Sequence, residues 1–251
     1  MTEVFHAHFV DYAYPPHTHD AWTVIVLDEG SIRYDLEHRR RSGSTRTVSV
    51  LPPHTVHDGR AATAAGFTKR VLYLDETVLS AELTGPAVDC SEISDVALKQ
   101  ELVALHDAIR GRDEALDGEE RLDRVARGLR RHLAAAPNGP RSSFSTSKGD
   151  AERLREFLDS NATRAVTLNE ASSALGRSIG YLSRSFRVAY GLSPHAYVIG
   201  RRVDHARRLL LDGWTTAAAA TASGFFDQAH LHRHFAKFTG TTPGLFGSRS
   251  Y

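Results

Sequence analysis

Fourteen histidines are distributed over the 251 residues. Two groups of them have spacings that could hold an ion or move a proton. DQAHLHRHFAKF (227–238) places His230, His232 and His234 at alternate positions. PPHTHDAW (15–22) puts His17 and His19 two apart, on one side of an extended chain, and LPPHTVHDG (51–59) adds His57 after a Pro-rich turn. Imidazole suits Zn, Fe, Cu or Ni. The lone Cys90 allows neither an intramolecular disulfide nor any paired-Cys zinc pattern. What each group can do depends on the element that carries it. On a helix His230 and His234 share a side and His232 points elsewhere, which argues against a simple metal site there.

Residues 4–75 read as β. AWTVIVL (21–27) is a buried-strand run, expected to stop at the Asp28-Glu29-Gly30 turn. SIRYDLEH then alternates Ile32, Tyr34 and Leu36 with Arg33, Asp35 and Glu37, the period of a half-buried strand. TVSVL (47–51) and KRVLYLD (69–75) are two more. His6 and His8 fall on a strand and carry no assigned role. Short strands separated by turn residues predict a small antiparallel barrel or sandwich.

Residues 92–136 change character. Val96, Leu98, Leu102, Val103, Leu105 and Ile109, then Leu122, Val125, Leu129 and Leu133, recur at near-helical spacing. They predict two amphipathic helices whose apolar faces either pack on the sheet or pair between copies. PNGPRSSFSTSKGD (137–150) reads as a linker. The expected layout is a sensing barrel over 1–80, a helical or dimerising segment over 81–136, a flexible linker over 137–149 and an all-α domain over 150–251. The fold class is thus two-domain α+β.

The last part contains a repeat. SIGYLSRSFRVAYGLSP (178–194) aligns with DQAHLHRHFAKFTGTTP (227–243) at a constant offset of 49. Ser178 and Asp227 are N-cap types. Leu182 pairs with Leu231, Arg184 with Arg233, Phe186 with Phe235, Gly191 with Gly240 and Pro194 with Pro243. TLNEASSAL (167–175) and TTAAAATAS (215–223) precede the two units as shorter helices broken at Gly176 and Gly224. Short helix, Gly turn and second helix make a helix-turn-helix. The stretch from Pro194 to about Asp212 joins the two as one long helix.

At ~100° per residue, Leu182, Phe186 and Ala189 face inward, as do Leu231, Phe235 and Phe238. Gly180, Arg184 and Arg187 face outward with Tyr181 and Ser183 at the flanks; Ala229, Arg233 and Lys237 face outward with His230 and His232 beside them. Each unit centres an Arg on its exposed face, and Arg pairs bidentately with guanine in the major groove. The charge fits. Residues 150–251 hold 13 Lys and Arg against 8 Asp and Glu, the rest 18 against 22.

FRVAYGLSPHAYVIGRRVDHARRLL followed by GFFDQAHLHRHFAKFTGTTPGLF closely resembles the signature of AraC/XylS-type transcription regulators, over the whole of about 150–251. The resemblance implies that the two units enter adjacent major grooves of double-stranded DNA. Carried over by position, it assigns DNA contacts to Gly180, Tyr181, Ser183, Arg184, Gln228, Ala229, His230, His232 and Arg233, and the exposed faces add Arg187 and Lys237. Gly180 and Ala229 stand where larger readers occur in the family. Thr216 and Ala219 replace its branched aliphatics in the second support helix.

His-Thr-His-Asp and Pro-x-x-x-His-Asp-Gly, over about 10–75, resemble the cupin-type sensor that precedes the DNA-binding domain in many such regulators. Metal-binding cupins add a Glu shortly after the first pair of histidines; here Trp22, Thr23 and Val24 occupy that window. Three readings stay open: His17, His19 and His57 line a small-molecule pocket with Trp22 and Tyr34, or bind a metal, or are structural. The reading adopted is a cytoplasmic, effector-controlled transcription regulator with no cofactor and no membrane span. Its partners are DNA, a small effector, a second copy of itself and RNA polymerase. A metal-binding cupin enzyme or metal sensor fused to a DNA-binding domain is the alternative. Catalytic signatures (G-x-S-x-G, H-E-x-x-H, P-loop, G-x-G-x-x-G after a strand) are absent, so no enzyme activity is expected.

Overall fold

The computed structural model describes residues 3–10, 12–111, 115–135 and 147–248. Cα packing divides the chain into two compact units, one formed by residues 1–13 and 19–141, the other by residues 14–18 and 142–251.

The first unit is built on antiparallel strands: β1 (Glu3–Phe9), β3 (Trp22–Leu36), β4 (Arg39–Ser44), β5 (Val48–Leu51), β6 (His57–Ala61), β7 (Phe67–Leu74) and β8 (Glu92–Ile93). β2 (Ala13–His17) falls almost wholly in the second unit. The main order is β1-β7-β3-β5-β8, with β4 and β6 paired to the second half of β3. Among the described residues this antiparallel order does not close on itself.

β3 differs from expectation. Asp28-Glu29-Gly30 does not end the strand; it bends it, with a register shift against β7 between Leu27 and Glu29. Gly30 has φ +75°, and a Cβ there would lie 2.2 Å from the Gly66 carbonyl oxygen. Two backbones in near contact demand glycine and produce a bulge where the sequence suggested a turn. On either side of the bulge the burial pattern changes. Trp22 to Leu27 are buried throughout, with Trp22, Val24 and Val26 in the core that the helices of this unit cover. After the bulge Ile32, Tyr34 and Leu36 are buried and Arg33 and Asp35 exposed.

A 3-10 turn (Ala81–Leu83) and three helices complete this unit: α1 (Thr84–Asp89), α2 (Val96–Gly111) and α3 (Ala115–Ala134). Leu98, Leu102 and Leu105 of α2 and Val125, Leu129 and Leu133 of α3 join Trp22, Val24, Val48, Leu72 and Leu74 in one core. Burial of such a side chain stabilises by roughly 1.5–3 kcal/mol. Most of the two apolar stripes is therefore core, with Val103, Ile109 and Leu122 half-buried at its edge and Val96 exposed at the start of α2. Outside the core, Arg124 pairs with Glu101 at 3.2 Å across α2 and α3.

The second unit is helical: α4 (Ser147–Asn161), α5 (Leu168–Leu175), α6 (Ile179–Tyr190), α7 (Pro194–Leu211), α8 (Thr216–Ala222), α9 (Gln228–Thr239) and α10 (Pro243–Ser248). Most of the linker expected over 137–149 lies outside the described residues; its last three residues are already the first turn of α4. The 18 residues of α7 span ~27 Å at a rise of ~1.5 Å each. Arg202 of α7 donates to the carbonyls of Ala162 and Arg164 at 2.7 and 2.8 Å, tying it to the α4–α5 turn.

Candidate DNA-reading surface and effector-site residues

The local chemistry of the two helix-turn-helix units is nearly the same. Thr167, Ser178, Thr215 and Asp227 stand at the N-caps of α5, α6, α8 and α9, and each side chain accepts a backbone N–H three residues on. Gly191 and Gly240 close α6 and α9 in the left-handed region, where a Cβ would be strained. Ser193 caps α7 with Pro194 in its first turn. Leu182 and Phe186 of α6, and Leu231 and Phe235 of α9, have no exposure at all. Position after position, the repeat in the sequence is a repeat in space.

Burial on the inner side sets the outer side. Gly180, Tyr181, Arg184 and Arg187 of α6 are exposed and Ser183 is half-buried. On α9, Gln228, Ala229, His232, Arg233 and Lys237 are exposed and His230 is half-buried. Ala189, expected inward, is exposed. Tyr190 takes the inner place, its ring 4.7 Å from Phe186 and 6.4 Å from Tyr197. Phe238, also expected inward, is half-buried and lies edge-on to His17 at 5.8 Å within the second unit.

His230 does not project as a flank of Arg233. Its Nδ1 accepts the Phe226 N–H at 3.5 Å, and its ring packs against Phe225 at 5.4 Å and His234 at 4.8 Å. His234 lies under it, 6.1 Å from Phe225. Burial, followed by the neighbouring His230, lowers the His234 pKa from the usual imidazole value. His232 alone of the three is exposed.

Asp150 of α4 escaped the motif-based reading, since it lies far before Ser178, the N-cap of the first reading helix. Its Oδ2 accepts both Arg177 Nε at 2.9 Å and the Tyr181 hydroxyl at 3.1 Å. Only a three-dimensional neighbour could have revealed it.

In the first unit, His19 packs on His57 at 5.2 Å and on Tyr73 at 5.4 Å. The His57 ring is buried, with Nδ1 donating to the Thr55 carbonyl at 2.9 Å. In the second unit, His17 is buried, with Nδ1 on the Pro15 carbonyl at 2.7 Å. An Nδ1–H given to a carbonyl leaves Nε2 as the basic nitrogen of each ring. Within the first unit, His19 and His57 are the histidines of the notable stretches that the fold brings ring to ring. Trp22 and Tyr34 are placed differently. Trp22 is in the core, its indole donating to the Leu79 carbonyl at 2.7 Å. The Tyr34 hydroxyl bonds Ser91 at 2.9 Å and also Glu92; burial, then the Glu92 charge, pushes its pKa up.

A sheet-rich unit holding clustered imidazoles and a twice-repeated helix-turn-helix together define a ligand-responsive DNA-binding regulator. Residues 1–126 match a family model described as an AraC-like ligand binding domain, and residues 171–249 match one described as a helix-turn-helix domain. The chain belongs to the AraC-type transcription regulators. An uncharacterized HTH-type transcriptional regulator of Bacillus subtilis (strain 168), YbfI, is 28% identical over 228 residues, 87% of this chain and 81% of that protein. The virulence regulon transcriptional activator VirF of Yersinia enterocolitica is 29% identical over 93 residues, 37% of this chain and 34% of its own. Among solved structures, apo ToxT of Vibrio cholerae has a TM-score of 0.69 at 12% identity, covering 100% of this chain and 98% of that one. Wild-type ToxT bound to an unsaturated fatty acid has a TM-score of 0.63 at 13% identity, covering 98% and 94%. At such identities the likeness is one of fold. Among the described residues no helix is long and apolar enough to cross a membrane.

Proposed function

We propose that this regulator reads DNA through the exposed faces of α6 and α9, with Arg184 and Arg233 as the principal base contacts. Tyr181, Ser183, Gln228 and His232 read beside them, and Arg187 and Lys237 meet phosphates. The carrying observation is the exposure of both arginines at equivalent positions of two helices capped with the same geometry. Gly180 and Ala229 expose no functional side chain and serve to let the helices approach the groove. His230 contributes through the start of α9 more than by direct contact. Selection of duplexes from a randomised library by the purified chain tests this. Arg184→Ala and Arg233→Ala should each relax preference at a different group of base pairs; equal loss on selected and random duplexes would reduce both to phosphate contacts.

The effector is proposed to bind at His19 and His57, beside Tyr73, in the first unit. Trp22 and Tyr34 shape that unit from within. Wild-type ToxT is described as binding an unsaturated fatty acid; carried to this chain, that suggests a small organic ligand without naming it. The approach of the His19 and His57 rings, 5.2 Å apart, supports a metal ion as the second reading. Metal analysis of the purified protein and of His57→Ala separates the two: stoichiometric metal lost in the variant supports the ion, and its absence supports an organic ligand. Ligand binding then shifts the population of DNA-competent states. Action as a cytoplasmic homodimer in contact with RNA polymerase completes the reading. Because most of the apolar stripes of α2 and α3 is core, a dimer would use the outer faces of these helices or another surface, and sedimentation of the full chain measures whether one forms.

A further inference from the structure

We propose that Asp150, outside both helix-turn-helix motifs, is a positioning residue that sets base selectivity of the first reading helix by holding Tyr181 and Arg177. The proposal rests on the reading of α6 as a DNA-reading helix.

A single carboxylate oxygen receives two donors: Arg177 Nε at 2.9 Å and the Tyr181 hydroxyl at 3.1 Å. The Asp150 side chain is only 14% exposed, while that of Arg177 is 49% exposed. Tyr181 is 40% exposed. The acid thus sits beneath two side chains on the surface meant for a polyanion. A bare carboxylate there would repel phosphates; paired with Arg177 it does not. The Arg177 hydrogen bond, and then that from Tyr181, hold the Asp150 pKa below the usual carboxylate value. The turn is fixed from behind as well. Ser172 Oγ donates to the Arg177 carbonyl at 2.7 Å, and the Tyr181 N–H is capped by Ser178 at 3.3 Å.

Two consequences follow from general chemistry. Tyr181 meets DNA in a fixed rotamer, so its ordering cost is met before binding. Such ordering is worth about two- to tenfold in affinity per side chain. Arg177, with its charge engaged, is withheld from the sequence-blind phosphate contact that a free Arg at a helix start would make. Asp150 therefore favours base reading over backbone attraction. The second unit has no counterpart: at the offset of 49, Phe226 replaces Arg177 and His230 replaces Tyr181.

The test uses the full chain, a duplex that the wild-type chain selects from a randomised library, and a shuffled duplex of equal length. Asp150→Ala should lower affinity for the selected duplex about two- to tenfold and raise affinity for the shuffled one. The slope of log K against log salt on the shuffled duplex should steepen by ~0.9, one added phosphate contact. Asp150→Asn keeps an acceptor for Tyr181, so it should raise shuffled binding while nearly preserving selected binding. Parallel loss on both duplexes with a lowered thermal midpoint would mean that Asp150 only braces α4 against α6, and would overturn the proposal. An unchanged ratio of the two affinities and an unchanged salt slope would overturn it too. If Asp150→Ala does not fold, Asp150→Asn and Tyr181→Phe, alone and combined, decide: coupling between them in the affinity ratio supports the proposal and strict additivity rejects it. Arg184→Ala and Tyr181→Ala guard the underlying reading. If neither alters preference, α6 does not read DNA; if they do and Asp150→Ala does not, the positioning role alone fails.

Discussion

The two helix-turn-helix units share a frame and differ in what the frame presents. Both have an N-cap side chain accepting the third backbone N–H, Ser178 in one and Asp227 in the other, the same buried Leu and Phe, and the same glycine closure before Ser-Pro or Thr-Pro. On the outer side the first unit gathers Arg177 and Tyr181 onto Asp150. The second turns His230 back against Phe225 and His234, and leaves Phe226 92% exposed just before its N-cap. Frame residues answer to backbone hydrogen bonding and burial, which are the same problem twice. Surface residues answer to whatever is bound, which need not be. The units therefore are expected to tolerate the same core and cap substitutions to the same extent, and to respond unlike one another at the surface.

The largest effects test the shared frame. Phe186→Ala and Phe235→Ala should each destabilise by ~3–5 kcal/mol, the usual cost of emptying a buried aromatic site, read from denaturant midpoints of the full chain. Phe186 lies within 5.3 Å of Tyr197 and Phe235 within 5.3 Å of Phe246. A loss confined to one of them would break the equivalence. Next come the surface arginines. Arg184→Ala and Arg233→Ala should each weaken binding to a selected duplex by ~1–3 kcal/mol; a loss for Arg184 only would show that the second unit follows the first without reading. The caps come third. Ser178→Ala and Asp227→Ala should each cost ~1 kcal/mol of stability, and a differential would locate context around one cap.

The smallest effect separates the units by pH. Ser185 of the first unit corresponds to His234 of the second. The His234 pKa is lowered in the fold, chiefly by burial. The unfolded chain thus binds the proton more readily. Stability from neutral His234 is complete above ~6.5, the unperturbed imidazole value, and is lost as pH falls through the lowered folded value. His234→Ser should flatten the fall in thermal midpoint between pH 7 and 5. An identical slope in the variant would place the acid sensitivity elsewhere, with buried His106 of the first unit the next group to substitute, since its pKa is also lowered by burial and by Arg70.

The reading helices were legible in the sequence because their signals are local. A cap, a Leu and a Phe four apart, and a terminal glycine specify a 12-residue helix and its inner face, and the second copy repeats the first. The histidines at 230, 232 and 234 could be separated by helical period alone, although the folding-back of His230 could not, because it depends on Phe225 across the turn. The sensor was less legible. The strand bulge at Gly30 depends on contact with Gly66, 36 residues away, so local turn chemistry suggested a break. Trp22, adjacent to the His-rich stretch, looked like a pocket wall and instead packs beneath the helices of the first unit.

By itself, the sequence determined the repeat, the caps, the inner faces, the arginines left outside and the family to which they belong, because each follows from spacing along one backbone. Tertiary structure decided which apolar stripes are core, which imidazoles approach one another and which acid grips the first reading helix. Those depend on residues tens of positions apart meeting in space, and neither periodicity nor composition carries that distance.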